Sequence, residues 1–208
     1  MLIIYTVDIN GTDFLVDDYL KYLSNYRQKR IEKLITKARK QTINQTVVGE
    51  LLLRYILIQH YNFKMNEIIL KESNEGKPYL VDGGIYFNIS HSNDMVMCGC
   101  DQWPIGIDIQ YVKKTVLLDP FEFSAKEAYG KMIGCGLNFD DTITYCKRKH
   151  FSKIYDKYEG HFIYQVYLGD YVVSVASESF NIKKGGVKIQ KLQCCELLHE
   201  IKNGDNYG

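Results

Sequence analysis

The segment Gly106-Ile107-Asp108-Ile109-Gln110, followed downstream by Ser124-Ala125-Lys126-Glu127-Ala128-Tyr129-Gly130-Lys131, holds residue types that can grip a divalent cation against a diphosphate. Side chains alternate along a strand, so Ile105, Ile107 and Ile109 fall on one face and Gly106, Asp108 and Gln110 on the other. Asp108 and Gln110 then point the same way, about 6–7 Å apart along the backbone. A carboxylate beside an amide oxygen suits Mg²⁺, which takes few protein ligands and keeps waters next to substrate phosphates. Taken alone, the same alternation equally describes a half-exposed strand with a solvated polar face.

Glu127 and Lys131 are four residues apart and share one face of an expected helix over Phe123 to Gly134. Two accounts fit them. In the structural one, Ser124 and Glu127 form a capping box and Glu127 pairs with Lys131 on the surface. In the chemical one, Glu127 is a metal ligand or general base and Lys131 a phosphate contact, near a helix end that favours anions. Upstream, Ser90-His91-Ser92 either satisfies turn backbone or offers donors to a phosphate. Arg27, Lys29, Arg30, Lys33, Lys37, Arg39 and Lys40 crowd one stretch that reads first as a solvated helix face. Cys98 and Cys100 place two thiols on one strand face, and without a second pair they do not read as a metal site.

The elements that must position these groups can be outlined. Leu2 to Ile9 reads as an opening strand, Asp17 to Ile35 as helical, and Thr42 to Tyr61 as a well-buried helix. Short strands are expected over Ile68 to Glu72, Ile85 to Ser90, Met95 to Cys100 and Ile105 to Gln110, with a loop at 74–78. After the helix come antiparallel strands over Phe151 to Ile154, Gly160 to Leu168 and Tyr171 to Ala176. A last strand is expected over Val187 to Leu192, and 203–208 read as a frayed tail. Each half combines strands with a helix, and Asp101-Gln102-Trp103-Pro104 is the expected seam between 1–103 and 104–208.

With 208 residues, the chain is long enough for one generous core or two small ones. A net charge of +1 gives no whole-chain argument for nucleic acid or an anionic membrane. No apolar run approaches the ~20 residues needed to span a bilayer. The start lacks the features of a signal peptide, and the six scattered cysteines suggest reduced thiols, so a cytoplasmic protein is expected.

The ordered blocks Gly76-Lys77-Pro78, Phe87-Asn88-Ile89-Ser90-His91-Ser92, Gly106-Ile107-Asp108-Ile109 and Lys126-Glu127-Ala128 with Lys131, then Gly134-Cys135-Gly136-Leu137, carry a resemblance. Together they resemble a 4'-phosphopantetheinyl transferase of the Sfp type, and weaker likeness extends to Gly49-Glu50-Leu51-Leu52-Leu53-Arg54 and to the tail around Glu196-Leu197-Leu198. That resemblance implies an α+β fold of two similar lobes related by a pseudo-twofold axis, each an antiparallel sheet packed with helix. It implies coenzyme A as substrate, Mg²⁺ as cofactor, and an acyl or peptidyl carrier protein as acceptor, with no nucleic acid or membrane partner. Two lobes in one chain would complete the cleft, so a monomer is expected.

By the same resemblance Asp108, Gln110 and Glu127 would hold the metal, and Glu127 and Lys131 would be catalytic. Asp108 and Lys131 would lie on the coenzyme A diphosphate, Ser90 and His91 on its phosphates, and Lys77 and Pro78 beside its adenine. Arg30, Lys33 and Thr46 would face its 3'-phosphate. The sequence departs from that family in having Gln110 where many relatives have glutamate, and Phe123 where relatives have tryptophan. It also departs in the short link from Asp108 to Lys126, in a region that relatives use to hold the carrier. A relative that binds coenzyme A or carrier without turnover, or a different metal-dependent phosphodiesterase, are the other readings that these residues allow.

Overall fold

The computed structural model describes residues 1–74, 76–81, 84–112, 119–135, 144–147, 151–155, 160–179 and 187–204. Their fold is α+β, with two main, largely antiparallel sheets, a small two-stranded one, and helices packed against them. The first sheet has four strands, in the order β11 (Ile189–Gln193), β1 (Ile3–Asp8), β5 (Met95–Asp101), β4 (Tyr86–Ser92). Its β1–β11 pair is parallel and the rest antiparallel. The second has five antiparallel strands, in the order β6 (Ile105–Tyr111), β10 (Tyr171–Ser177), β9 (Gly160–Leu168), β8 (Phe151–Tyr155), β7 (Thr144–Lys147). The turn at Gln102–Pro104 carries the chain from one sheet to the other.

Helix α3 (Lys40–Tyr61) covers one face of the first sheet. It is buried nearly all round through its middle, where Val47, Leu51, Leu52 and Ile56 are fully buried and the polar Gln45, Glu50 and Arg54 are enclosed with hydrogen-bond partners. Gly49 lets it close on β4, since a Cβ there would stand 2.9 Å from Cγ2 of Ile89. Helices α2 (Asn25–Ile35) and α5 (Cys194–Gly204) flank it. The other face of the first sheet, through Ile4 and Met97, shares a second core with Ile105, Ile107, Ile109, Val173 and Val175. Helix α4 (Pro120–Ile133) lies on the far side of the second sheet, on Ile163 and Ala176.

The two sheets meet edge to edge between β4 and β6. Their edge is joined by side chains rather than by a backbone ladder. Asn88 Oδ1 accepts the N–H of Ile107 at 3.0 Å, Ser90 Oγ that of Ile109 at 3.3 Å, and Ser92 Oγ that of Tyr111 at 3.0 Å. Alternation on β4 thus matches alternation on β6, and the exposed amides of an edge strand are satisfied.

Several expectations need correction. The helical stretch from Asp17 is broken into α1 (Asp17–Leu20) and α2, because the buried Ser24 turns its N–H and hydroxyl onto Glu50 at 2.6 and 2.8 Å. Helix α4 starts at Pro120, not Phe123. Its cap is Asp119, whose carboxylate accepts the N–H of Phe121 at 2.9 Å, so Ser124 is no capping-box residue and lies inside the helix. The frayed tail is helical as far as Gly204, while 205–208, like Gly136 and Leu137, lie outside the described residues. The expected loop at 74–78, of which Glu75 lies outside the described residues, runs directly into β3 (Pro78–Leu80), which pairs with β2 (Leu70–Glu72). Strands β11 and helix α5, though last in sequence, return to the first sheet and α3. Among the described residues no helix is long and apolar enough to cross a membrane.

Candidate active site

Asp108 sits in the middle of β6, on the face that α4 covers, and is only 1% exposed. The isoleucines do occupy the opposite face, but the polar face is not solvated: helix and sheet seal it. Gly106 makes that approach possible. A Cβ there would stand 2.0 Å from the carbonyl oxygen of Ala128 and 2.4 Å from the nitrogen of Met132, so any side chain would lift the helix away.

With the helix this close, Lys131 reaches β6. Its ammonium lies 2.7 Å from Asp108 Oδ1, 3.2 Å from Ser90 Oγ and 3.7 Å from Glu127 Oε2. Asp108 and Glu127, from a strand and a helix far apart in sequence, therefore lie within reach of a single cationic group. Ser90, almost fully buried, donates its hydroxyl proton to Asp108 Oδ1 at 3.2 Å while accepting from Ile109 and Lys131. The same residue that joins the sheets therefore touches the site. The second oxygen of Asp108, Oδ2, is buried without a hydrogen-bond partner among the described residues.

Next along β4, His91 opens to solvent at the edge of this group. The protein packed around it, and then the positive charges of Lys131, Arg30 and Arg27, hold its imidazole below the ordinary histidine pKa. Arg27, Arg30 and Lys131 thus surround the His91 ring with positive charge, and Lys131 joins this rim to the two carboxylates. Arg30 and Lys33 are exposed on α2. Thr46 is buried in α3 and its hydroxyl donates to the Thr42 carbonyl at 2.8 Å. Gln110 lies one step beyond Asp108 on the same face of β6, half-buried, and among the described residues its amide is not part of the hydrogen-bonded group.

Lys77 and Pro78 line a separate open cavity of about 540 Å³ with Ser73, Tyr79, Tyr86 and Ile133. The Lys77 ammonium turns onto the end of α4, donating to the carbonyls of Lys131 at 2.6 Å and Met132 at 3.2 Å. A cation at a helix C-terminus is favourable, although burial lowers the Lys77 pKa. It ties the hairpin that follows α3 to the helix that carries Glu127 and Lys131.

Residues 14–102 match the family described as 4'-phosphopantetheinyl transferase, N-terminal. Curated relatives carry the same activity in their names. The 4'-phosphopantetheinyl transferase Sfp of Bacillus subtilis (strain 168) is 30% identical over 114 residues, covering 54% of this chain and 51% of that protein. The gsp transferase of Aneurinibacillus migulanus is 34% identical over 91 residues, covering 44% and 38%, and psf-1 of Bacillus pumilus 33% over 90, covering 43% and 39%. The chain is related to the Sfp-type 4'-phosphopantetheinyl transferases. The matched stretches span between 38% and 51% of the length of these relatives.

For a chain related to these transferases, Mg²⁺ can be tested against the donors present. Among the described residues no three His, Cys, Asp or Glu side chains converge as a cage. What converges is a pair of carboxylates around one ammonium, one of them with a bare buried oxygen, and an amide one strand step away. That oxygen-only set fits Mg²⁺, which commonly takes one or two carboxylates. Asn88, Ser92 and Arg27 stand in the ordered blocks and the basic stretch, but the sequence reading gives them no site role of their own. The period-two spacing of Asn88, Ser90 and Ser92 was a signal for the first two, and Arg27 stands one turn before Arg30.

Proposed function

We propose that this chain transfers the 4'-phosphopantetheine group of coenzyme A to a serine of an acyl or peptidyl carrier protein, releasing adenosine 3',5'-bisphosphate. The single observation that carries this reading is the convergence of Asp108, Glu127 and Lys131 beside Ser90 and His91. Asp108 and Glu127, with Gln110, would hold Mg²⁺, which when bound supplies positive charge to a diphosphate. Lys131 exchanges its contact with Asp108 for the diphosphate and stabilises the leaving bisphosphate. Its donors then act where charge develops. Glu127 orients the serine hydroxyl and takes its proton, working by position because a carboxylate beside a cation is a weak base.

His91 donates to a phosphate of coenzyme A. Ser90, whose one proton faces Asp108, supports that carboxylate as much as a substrate. Arg30 and Lys33 face the 3'-phosphate, with Thr46 on the wall of α3 behind them. Pro78, Tyr79 and Tyr86 line the cavity assigned to the adenine, and Lys77 closes its inner side. We assign the two lobes to 1–103 and 104–208, related by a pseudo-twofold axis, with 189–204 crossing back onto the first. A monomer acting in the cytoplasm completes the reading.

Incubation with coenzyme A, Mg²⁺ and several apo carrier proteins tests it by mass spectrometry. One phosphopantetheine arm should be added to the carrier, and neither Glu127→Ala nor omission of Mg²⁺ should permit it. No gain on any carrier would overturn the proposal. A second reading, a relative that binds coenzyme A without turnover, is favoured by Gln110 in place of an anionic ligand. It predicts heat of coenzyme A binding with no product.

A further inference from the structure

Among the described residues, two side-chain oxygens where α4 meets β6 are buried without hydrogen-bond partners: Ser124 Oγ and Asp108 Oδ2. Their placement is not coincidental. Phe121, at the start of α4, packs edge to face on Tyr167 with ring centroids 4.8 Å apart, and Tyr167 pairs through Val172 with Gln110. Ala128 and Met132, nearer its end, lie over Gly106. The helix therefore runs antiparallel to β6. From Gly106 to Asp108 is about 6.6 Å along the strand, and from Ala128 back to Ser124 is about 6 Å along the helix. Ser124 and Ala128 share a stripe of α4, so Ser124 stands over Asp108 as Ala128 stands over Gly106.

Ser174 completes the group. It pairs directly with Asp108 across the β6–β10 ladder, on the same face, and is fully buried. Its Oγ accepts from Gln165 Nε2 at 2.8 Å, which leaves its own proton to give. Gln165 also donates to the Phe121 carbonyl at 2.7 Å and accepts from Tyr145 at 2.9 Å, which fixes α4 over this row. With Asp119 as the cap, Ser124 has no part in starting the helix. A serine in a helix interior has low intrinsic preference for that position, and burying its hydroxyl unpaired adds a further cost.

We propose that Ser124 is a positioning residue for Asp108, acting through one buried water shared among Ser124 Oγ, Ser174 Oγ and Asp108 Oδ2. Three polar partners are what a buried water typically has. The water fixes the inner oxygen of the carboxylate and leaves Oδ1 to face Ser90 and Lys131. Asp108 then presents one oriented oxygen to a cation. In its metal arm this inference rests on the function proposed above; in its structural arm it does not.

A crystal structure fine enough to place waters should show one within hydrogen-bonding reach of all three oxygens. A dry gap, or Ser124 Oγ turned onto the Pro120 carbonyl four residues back, would overturn the proposal. In solution, Mn²⁺ affinity read by electron paramagnetic resonance should fall about tenfold in S124A, as for the loss of a group that orients a metal ligand, and recover in S124T. The unfolding midpoint of the metal-free protein, measured alongside, separates this from loosened packing. Equal Mn²⁺ affinity in wild type and S124A sinks the proposal. If wild type binds no Mn²⁺, the metal assignment above fails, and the crystallographic water alone decides the role of Ser124.

Discussion

Among the described residues Glu50, Asp101 and Asp108 are buried carboxylates, and Glu50 and Asp108 are treated oppositely. Glu50, inside α3, is fully enclosed and each of its oxygens is saturated. Oε1 receives the Ser24 N–H at 2.6 Å and Arg54 Nη2 at 2.9 Å, while Oε2 receives the Ser24 hydroxyl at 2.8 Å and Arg27 Nε at 3.4 Å. Asp108 is enclosed just as completely, yet one oxygen meets a hydroxyl and an ammonium and the other meets no donor among the described residues. A charge that holds a fold together is satisfied from all sides. The carboxylate of the proposed site instead keeps Oδ1 on a cation that it can exchange, a lysine still 26% exposed and able to move.

Variants can break or sharpen that contrast. Glu50→Ala leaves Arg27 and Arg54 buried without a counter-charge and should cost about 3–5 kcal/mol, the usual loss when one partner of a buried pair is removed. Chemical denaturation measures it. Asp108→Asn should lower the rate of carrier modification by about 10²–10³-fold, as for loss of one preorganised charge at a reacting centre. Its unfolding midpoint should stay near wild type, because Lys131 can turn to solvent and to Glu127. If Asp108→Asn unfolds as easily as Glu50→Ala, the contrast is void. Gly106→Ala drives a methyl into the Ala128 carbonyl and should cost about 1–3 kcal/mol by overpacking. It should also loosen the Lys131–Asp108 contact without touching Glu50.

The smallest effect is that of pH on His91. Its folded-state pKa lies below the unfolded value, so the unfolded chain binds the proton more readily. Stability should rise as pH climbs through the window between the depressed folded pKa and 6.5, the ordinary histidine value. It should be lost as pH falls back through it. His91→Asn should remove this component from the pH profile of thermal unfolding. Coenzyme A should oppose it, because an anion against the ring favours the imidazolium.

Most of the elements near the site were legible because their patterns are strong. The isoleucine alternation gave β6 and its faces, and the apolar run after Thr42 gave α3. The sequence could not tell that the polar face of β6 is buried, since that depends on Gly106 meeting a helix from a distant stretch. Ser124 misled for a related reason: a serine three residues before a glutamate resembles a cap, while Asp119-Pro120 was the stronger start signal. The helix after β11 was not read from the sequence although Cys194, Leu197, Leu198 and Ile201 repeat at helical spacing; only its last residues, Asn203 and Gly204, fall in the tail read as frayed. The break before α2 is tertiary in origin, set by Glu50 pulling on Ser24.

Fastening the sheets through Asn88, Ser90 and Ser92 has a mechanical result. Because the fasteners come every second residue, the two sheets can be re-seated only in steps of two residues, about 7 Å, and a one-residue slide would present His91 and Ile89 where hydroxyl and amide oxygens are needed. The distance between His91 and the Asp108 carboxylate on the neighbouring strand is thereby locked by the stitching of the framework itself.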